Sequence, residues 1–229
     1  AIMIIEILGA KMLAPYLGTS HFVWTAQITV TLLALAAGYA AGGWLADRSP
    51  RPAWVSGAMI GAAAWLAGSV IGCESIAYGC LRFRLAAGSL LAAALLFFVP
   101  LALLAMVGPF FVRVVTSSLA HVGSNVGRLT ALSTVGSVVG TLLIGYVLIP
   151  LLPNSVTMSI TSGVLVLVAV VFFIGCGGRT RAPALTGSVF TLVLAGLAAL
   201  QRPAIAQANL KQLFCANSNF GLLQVIETG

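Results

Sequence analysis

Two charged side chains, Glu6 and Lys11, lie within an apolar stretch at the start of the sequence. An ionised group inside a membrane span costs at least about 2.5–3.5 kcal/mol, so it normally pairs with another group or faces a polar cavity. The two residues lie about 140° apart around a helix of 3.6 residues per turn, so they do not form an i,i+4 ion pair. Glu6 is predicted to bind a partner on another helix, and is a candidate substrate-binding residue. Lys11 is a second candidate, with snorkelling toward Pro15 and Tyr16 as the alternative.

A second group of charges, Asp47, Arg48 and Arg51, follows Gly43 at the end of the next apolar segment. Carboxylate and guanidinium groups at this spacing can bond each other and the open backbone groups of neighbouring helix ends. We interpret Gly43 and the three charges as a loop motif that latches the cytoplasmic face and acts as a gate. The alternative is a solvated turn with a positive-inside signal, which accounts for the arginines but not for Asp47.

The remaining reactive side chains form no recognisable site in the sequence. His21 and His121 have no companion ligands nearby, so no metal site is predicted. Cys73 and Cys80 are expected to share one outer loop, where an oxidising compartment would allow a disulfide; their spacing matches no zinc pattern. The sequence has no catalytic triad, phosphate loop or dinucleotide fingerprint, so no catalytic residue and no cofactor are predicted for this chain.

The composition indicates where these residues must be positioned. Of 229 residues, 60% are hydrophobic and 7% are charged, whereas soluble domains average about 25% charged residues. Because a soluble fold of this size needs a polar shell, a soluble enzyme, a nucleic-acid binder and a disordered chain are excluded for the bulk of the sequence. An integral membrane protein is predicted, and the net charge of +7 is interpreted as topology information rather than as a nucleic-acid footprint.

An all-α, polytopic bundle of about seven transmembrane helices is predicted over residues 1–200. The predicted spans are residues 1–16, 22–45, 53–73, 85–107, 129–151, 156–174 and 185–200. The fourth is ambiguous because residues 85–115 are too long for one straight span and contain Pro100 and Pro109. This region is either one kinked helix followed by an interfacial turn or two partial passes.

The arginines of the short loops predict the orientation of the spans. Six of them follow the second, fourth and sixth spans: Arg48, Arg51, Arg113, Arg128, Arg179 and Arg181. Two, Arg82 and Arg84, lie on the opposite side. The loop after Asp47 is therefore predicted to be cytoplasmic, and an odd number of spans then places the tail from Arg202 onward outside.

Pairs of glycines four positions apart predict where helices pack closely. Gly38 and Gly42 lie in the second span, and Gly136 and Gly140 lie in the fifth. Small residues at this spacing let two helix backbones approach each other. Simple packing is the preferred interpretation, and a substrate path is the alternative.

Three stretches together resemble one family. They are EILGAKMLAPYLGTS with VWT (residues 6–20 and 23–25), GYAAGGWLADR (38–48) and LTALSTVGSVVGT (129–141), which continues to residue 152. In order and spacing they resemble membrane-fused spermidine synthases, and residues 38–48 also resemble the cytoplasmic loop motif of the major facilitator superfamily. This family usually has Arg where this chain has Lys11, so the bidentate geometry of Arg is lost.

The tail extends this resemblance. Residues 218–228 look like the first strand of an aminopropyltransferase-type domain, so residues 201–229 are predicted to be a linker and that strand. Both ends of the sequence look cut, and we expect a fragment of a longer protein. The resemblance implies that the soluble domain, with its S-adenosylmethionine-type ligand, follows residue 229. That domain would be cytoplasmic, which conflicts with an outside tail. A miscounted pass is the preferred explanation; the alternatives are a helix before residue 1 with the opposite orientation, and an exported soluble part that works differently.

The resemblance implies the membrane domain of a polyamine aminopropyltransferase-related protein in a bacterial inner membrane, which anchors or feeds a soluble transferase domain. Within that function, Glu6 would bind a cationic amine and Asp47 would organise the gate. The alternatives are a transporter-like module and a structural subunit without catalysis. The expected partners are the lipid bilayer, a soluble synthase-like domain and other membrane subunits or further copies of the chain, with no nucleic acid.

Overall fold

The first three helices follow one another with short turns between them. The computed structural model describes residues 1–49, 51–115, 122–175, 181–200, 210–218 and 221–228. Helix α1 is Ile2–Leu17, α2 is His21–Arg48 and α3 is Pro52–Cys80. Helix α1 ends at Gly18, whose φ of 79° lies in the left-handed region that favours glycine. Pro52 begins α3, where its missing N–H leaves no helical hydrogen bond unmade.

The next helical region is one rod built from four segments. They are α4 (Leu85–Ala93), the π-helical turn π1 (Ala94–Phe98), α5 (Val99–Ala105) and α6 (Val107–Val115). Of the two possibilities that the sequence left open, the structure has the single span, Leu85–Arg113. At one end Gly88 lies against the Cys80 carbonyl, and at the other Arg113 reaches Asp47. The rod therefore crosses the bundle once, and we call it the fourth span, as in the sequence-based prediction.

A second rod, Val122–Leu151, has the same kind of break. Its segments are α7 (Val122–Leu143), the π-helical turn π2 (Ile144–Leu148) and α8 (Ile149–Leu151). In both rods the π-helical turn lies just before a proline, Pro100 or Pro150. Proline has no N–H for the carbonyl four residues earlier, and a wider turn accommodates that loss. Two further helices follow, α9 (Asn154–Gly175) and α10 (Arg181–Leu200).

Five helices of the described chain are long and apolar enough to cross a membrane, judged by length and composition. They are His21–Arg48, Pro52–Cys80, Leu85–Arg113, Val122–Leu151 and Asn154–Gly175. Helix α1 has 16 residues, and the apolar part of α10, Gly187–Ala198, is also shorter than the roughly 20 residues that a bilayer core requires. The predicted helical membrane bundle is confirmed, and about seven spans stay a prediction.

The centre of the bundle combines side chains from several helices. Leu8 of α1, Leu66 of α3, Phe97 of π1 and Met158 of α9 are wholly buried in one apolar cluster. Helix α9 is tied to α3 by a hydrogen bond in which the Ser162 hydroxyl donates to the Ala63 carbonyl at 2.8 Å. Packing and a few hydrogen bonds to backbone carbonyls thus hold the helices together, as is usual in membranes.

The outward faces of the helices carry large apolar side chains. Leu32, Leu132, Leu167 and Leu197 are each more than half exposed. Exposed apolar surface on this scale is unfavourable in water and marks contact with another apolar phase. A lipid bilayer is therefore the environment that fits the bundle.

The tail contains two antiparallel strands, β1 (Leu210–Ser218) and β2 (Gly221–Thr228). Leu210 pairs with Thr228, and the register shifts between Gln212 and Phe214, as at a β-bulge. The sequence predicts one strand here, preceded by a linker. The structure extends strand pairing into that linker, while the division of the chain into domains at residue 200 stays a prediction.

Cys73 and Cys80 lie on one helix rather than in an outer loop. Helix α3 continues to Cys80, past the predicted end at residue 73. Seven positions of a helix span about 10.5 Å, which exceeds the Cα separation of about 7 Å that a disulfide tolerates. Both thiols are buried and free, so the shared outer loop is wrong, and the disulfide that such a loop would allow does not form in this fold.

Candidate functional site

The candidate site lies where α1 packs against α2. The short turn between the two helices makes them antiparallel neighbours. At their contact Gly9 faces the amide of Gln27, and a Cβ added to Gly9 would lie 2.9 Å from Gln27 Nε2. Glycine is therefore the residue that lets the Gln27 amide lie directly against the backbone of α1.

Gln27 and Thr31 form a buried polar pair on one face of α2. Gln27 is 0% exposed and Thr31 is 2% exposed, and residues four positions apart lie on the same side of a helix. Within the described chain, neither Gln27 Nε2, Gln27 Oε1 nor Thr31 Oγ1 has a hydrogen-bond partner. A buried polar group without a partner costs about 1–3 kcal/mol, so this pair is suited to meet a polar ligand.

Glu6 lies near the same level of the bundle. Glu6 lies one turn before Gly9 on α1, and Thr31 lies one turn after Gln27 on α2. Because the two helices are antiparallel, these two steps lead in the same direction along the bundle. Glu6 is partly buried, and no cationic side chain of the described residues lies within 4.0 Å of its carboxylate. Glu6 is thus one helical turn along α1 from the contact between Gly9 and the unpartnered Gln27 amide.

Lys11 is bonded through its backbone rather than through its charge. Pro15 has no N–H, so the Lys11 carbonyl four residues earlier lacks its helical donor. The Asn154 side-chain amide of α9 donates to this carbonyl at 3.3 Å. The Lys11 side chain is partly buried and has no ion-pair partner in the described part of the chain. The structure does not bring the charges of Glu6 and Lys11 together as an ion pair.

The loop motif lies at the opposite end of α2 from the turn that joins α1 and α2. Arg113 Nε lies 3.4 Å from Asp47 Oδ1, and both side chains are more than half exposed. Arg48 lies over the ring of Trp44, with its guanidinium carbon 4.9 Å from the ring centroid. Arg51 is exposed just before α3 begins. The ion-pair partner of Asp47 is thus Arg113, from a different span, rather than either neighbouring arginine.

The four predicted packing glycines have different surroundings. Gly38 and Gly42 face the backbone of the fourth span: a Cβ on Gly38 would collide with the Ala102 carbonyl, and one on Gly42 would lie 2.6 Å from Met106 Cα. Gly140 lies against Ile4, with 3.4 Å from its built Cβ to Ile4 Cδ1. Gly136 and Gly43 have open space at the Cβ position. Close approach of helix backbones is therefore seen at Gly38 and Gly42.

Sequence reasoning missed Gln27, Thr31 and Asn154. The available signal was weak: Gln27 is the one amide side chain in α2, and Asn154 follows Pro153 at a helix start. What makes Gln27 and Thr31 unusual is that they are buried without partners, and burial depends on contacts with another helix. Periodicity carries little information when helices are apolar on all sides.

Among the described residues, no three His, Cys, Asp or Glu side chains are grouped so that they could hold a metal ion. His121, Cys176, Arg179 and Gly229 lie outside the described residues.

Comparison with protein-family models, curated proteins and solved structures finds no match for this chain.

Proposed function

We propose that this chain is the membrane domain of a spermidine synthase-like protein and binds a cationic amine between α1 and α2. The observation that carries the proposal is the group formed by Glu6, Gln27 and Thr31. Glu6 has no cationic partner among the described residues, and Gln27 and Thr31 are buried without hydrogen bonds. The resemblance of residues 6–20, 38–48 and 129–141 to that family supplies the substrate class.

The chemistry of the group suits an alkylammonium ion. The Glu6 carboxylate would neutralise the charge, while Gln27 Oε1 and Thr31 Oγ1 would accept hydrogen bonds from the ammonium N–H groups. A neutral ligand would leave Glu6 uncompensated in an apolar surrounding, which is costly. The group therefore favours amines over neutral polar molecules.

The wider assignment rests on the resemblance. In this proposal about seven spans form a partly major facilitator-like bundle in a bacterial inner membrane. The bundle anchors or feeds a soluble aminopropyltransferase-type domain, which would bind the S-adenosylmethionine-type ligand. The transfer chemistry would belong to that soluble domain, and the membrane part would concentrate the amine.

Equilibrium binding of radiolabelled spermidine to the protein in nanodiscs tests the proposal. Saturable binding is expected, with the affinity lowered at least about tenfold by Glu6→Gln, which corresponds to about 1.4 kcal/mol. Lys11→Gln is the matched control, since it removes a charge from the same helix, and it is expected to leave the affinity unchanged or higher. Monodisperse elution of each variant verifies folding. Absence of saturable binding, or equal binding by Glu6→Gln, contradicts the proposal.

A transporter-like module is the second candidate, and the paired π-helical turns favour it. Helices that bend during transport need local breaks in their hydrogen bonding, and π1 and π2 each lie just before a proline. Uptake of labelled spermidine into proteoliposomes would distinguish the two. Binding without uptake supports the membrane domain of a synthase-like protein, whereas uptake abolished by Glu6→Gln supports a transporter.

A further inference from the structure

A groove opens between α2, α3 and the fourth span at the end of the bundle that carries Asp47. Its walls include Gly42 and Leu45 from α2, Trp54 from α3, and Met106 and Phe110 from the fourth span. All of these side chains are apolar, and Trp54 is 49% exposed, so the groove is open at the periphery of the bundle. Its surface suits a hydrocarbon chain.

An arginine lies one turn beyond the groove on α2 and on the fourth span, and a third arginine directly precedes α3. Arg48 follows Leu45 by three positions, and Arg113 follows Phe110 by three. Arg51 is the residue before Pro52, where α3 begins, and it precedes Trp54 by three positions. Because residues three apart lie on one side of a helix, Arg48 and Arg113 share the sides of Leu45 and Phe110. Together with Arg51 at the start of α3 they form a rim at the groove's outer end.

The rim has a net positive charge even when its one carboxylate, Asp47, is included. Asp47 pairs with Arg113 at 3.4 Å. Arg48 and Arg51 have no carboxylate partner among the described residues. Arg48 is held over Trp44 at 4.9 Å, a geometry that leaves the N–H groups of its guanidinium edge available to an anion. Two arginines are thus free to bind a phosphate group.

Two exposed tryptophans indicate how deep the rim lies in the membrane. Trp44 and Trp54 are exposed at this end of the bundle, and exposed tryptophans are typical of the boundary between hydrocarbon and headgroups. The groove is shallow, and a ligand that covers its apolar walls and also binds the rim combines an acyl chain with an anionic headgroup. A soluble anion would leave the apolar walls uncovered, and a zwitterionic lipid would leave the charge of the rim only partly compensated.

We propose that this groove binds one anionic phospholipid, with an acyl chain against Leu45, Trp54 and Phe110 and the phosphate on Arg48 and Arg51. This site is separate from the amine site between α1 and α2. It does not depend on the proposed function, since it rests on the groove, the rim and the exposed tryptophans alone.

Binding to detergent-purified protein tests the proposal with three probes. They are phosphatidylglycerol, phosphatidylcholine with identical acyl chains, and inorganic phosphate. Native mass spectrometry is expected to show one phosphatidylglycerol retained at least about tenfold more tightly than phosphatidylcholine, and thermal unfolding to shift upward with phosphatidylglycerol alone. Equal retention of phosphatidylcholine, or an equal thermal shift with inorganic phosphate, would overturn the proposal.

Two variants with equal charge changes locate the site. Arg48→Gln with Arg51→Gln is expected to lower phosphatidylglycerol affinity about tenfold or more, while Arg82→Gln with Arg84→Gln, at the other end of the bundle, leaves it unchanged. All four arginines are exposed, so folding is expected to survive both changes. Ala58 of α3 also lines the groove. A third variant, Ala58→Phe, fills the groove and keeps the rim, and it should lose the lipid as well. Equal losses in both arginine pairs would mean that general charge, rather than this groove, binds the lipid.

Discussion

Gly42 and Gly43 are adjacent in α2 but have different surroundings. A Cβ on Gly42 would lie 2.6 Å from Met106 Cα, whereas a Cβ on Gly43 has nothing within 4 Å. Gly42→Ala is therefore expected to force α2 away from the fourth span and to destabilise the protein by about 1–3 kcal/mol. Gly43→Ala should leave stability unchanged or raise it slightly, since alanine favours the helix. Thermal unfolding of both variants in one detergent gives the comparison, and equal unfolding temperatures would show that the contact is not tight.

The residues of the candidate site differ in how far the sequence alone reveals them. Glu6 can be recognised because a charge in an apolar segment needs a partner. The Gln27 and Thr31 pair requires knowledge of which face of α2 is buried, and an apolar helix hides that information. Asn154 bonds the carbonyl of Lys11, which Pro15 deprives of its donor; the missing donor is visible in the sequence, but the residue that replaces it is not.

At the scale of elements, proline and an indole act together in the fourth span. Pro100 has no N–H for the Leu96 carbonyl, and Trp65 of α3 donates its indole N–H to that carbonyl at 3.2 Å. The bond joins two spans at the point where π1 interrupts the helix. A break in one helix is thus compensated by a side chain of its neighbour, and the two features should be energetically coupled.

A double-mutant cycle measures this coupling. Trp65→Phe keeps the aromatic ring and removes the donor, so it is expected to cost about 0.5–1.5 kcal/mol of unfolding free energy. In a Pro100→Ala background the Leu96 carbonyl regains an N–H four residues later, so the same Trp65→Phe change should cost clearly less. Chemical denaturation of the four proteins gives the coupling energy. Additive effects of the two changes would show that proline and indole act independently.

Helix ends were harder to predict than helices. The fall in hydropathy after residue 73 suggests the end of a span, but α3 continues to Cys80. The intervening residues include Glu74 and Tyr78 and no proline, so the helix can leave the apolar layer without losing its backbone hydrogen bonds. In residues 85–115 the two prolines were visible, yet one pass could be told from two only by contacts at the far ends, Gly88 with Cys80 and Arg113 with Asp47.

At the scale of the whole molecule, charge and apolar surface are separated along the bundle. Asp47, Arg48, Arg51 and Arg113 lie at one end, and Arg82 and Arg84 lie at the other, where α3 meets α4. Between the two ends the exposed surface is largely apolar. The larger number of arginines at the Asp47 end predicts that this end faces the cytoplasm, and the single crossing of the fourth span predicts that α7 begins on that same side.

Cysteine labelling tests both statements about topology. In a background with the four native cysteines replaced by alanine, single cysteines are introduced at three exposed positions, Thr19, Ala53 and Ser124. A membrane-impermeant maleimide is expected to label Thr19→Cys in right-side-out vesicles and both Ala53→Cys and Ser124→Cys in inverted vesicles. The reverse pattern would show that the arginines do not set the orientation of this protein. The Asp47–Arg113 contact requires the Leu85–Arg113 rod to cross the membrane once. Labelling of Ser124→Cys in the same right-side-out vesicles as Thr19→Cys would contradict that single crossing.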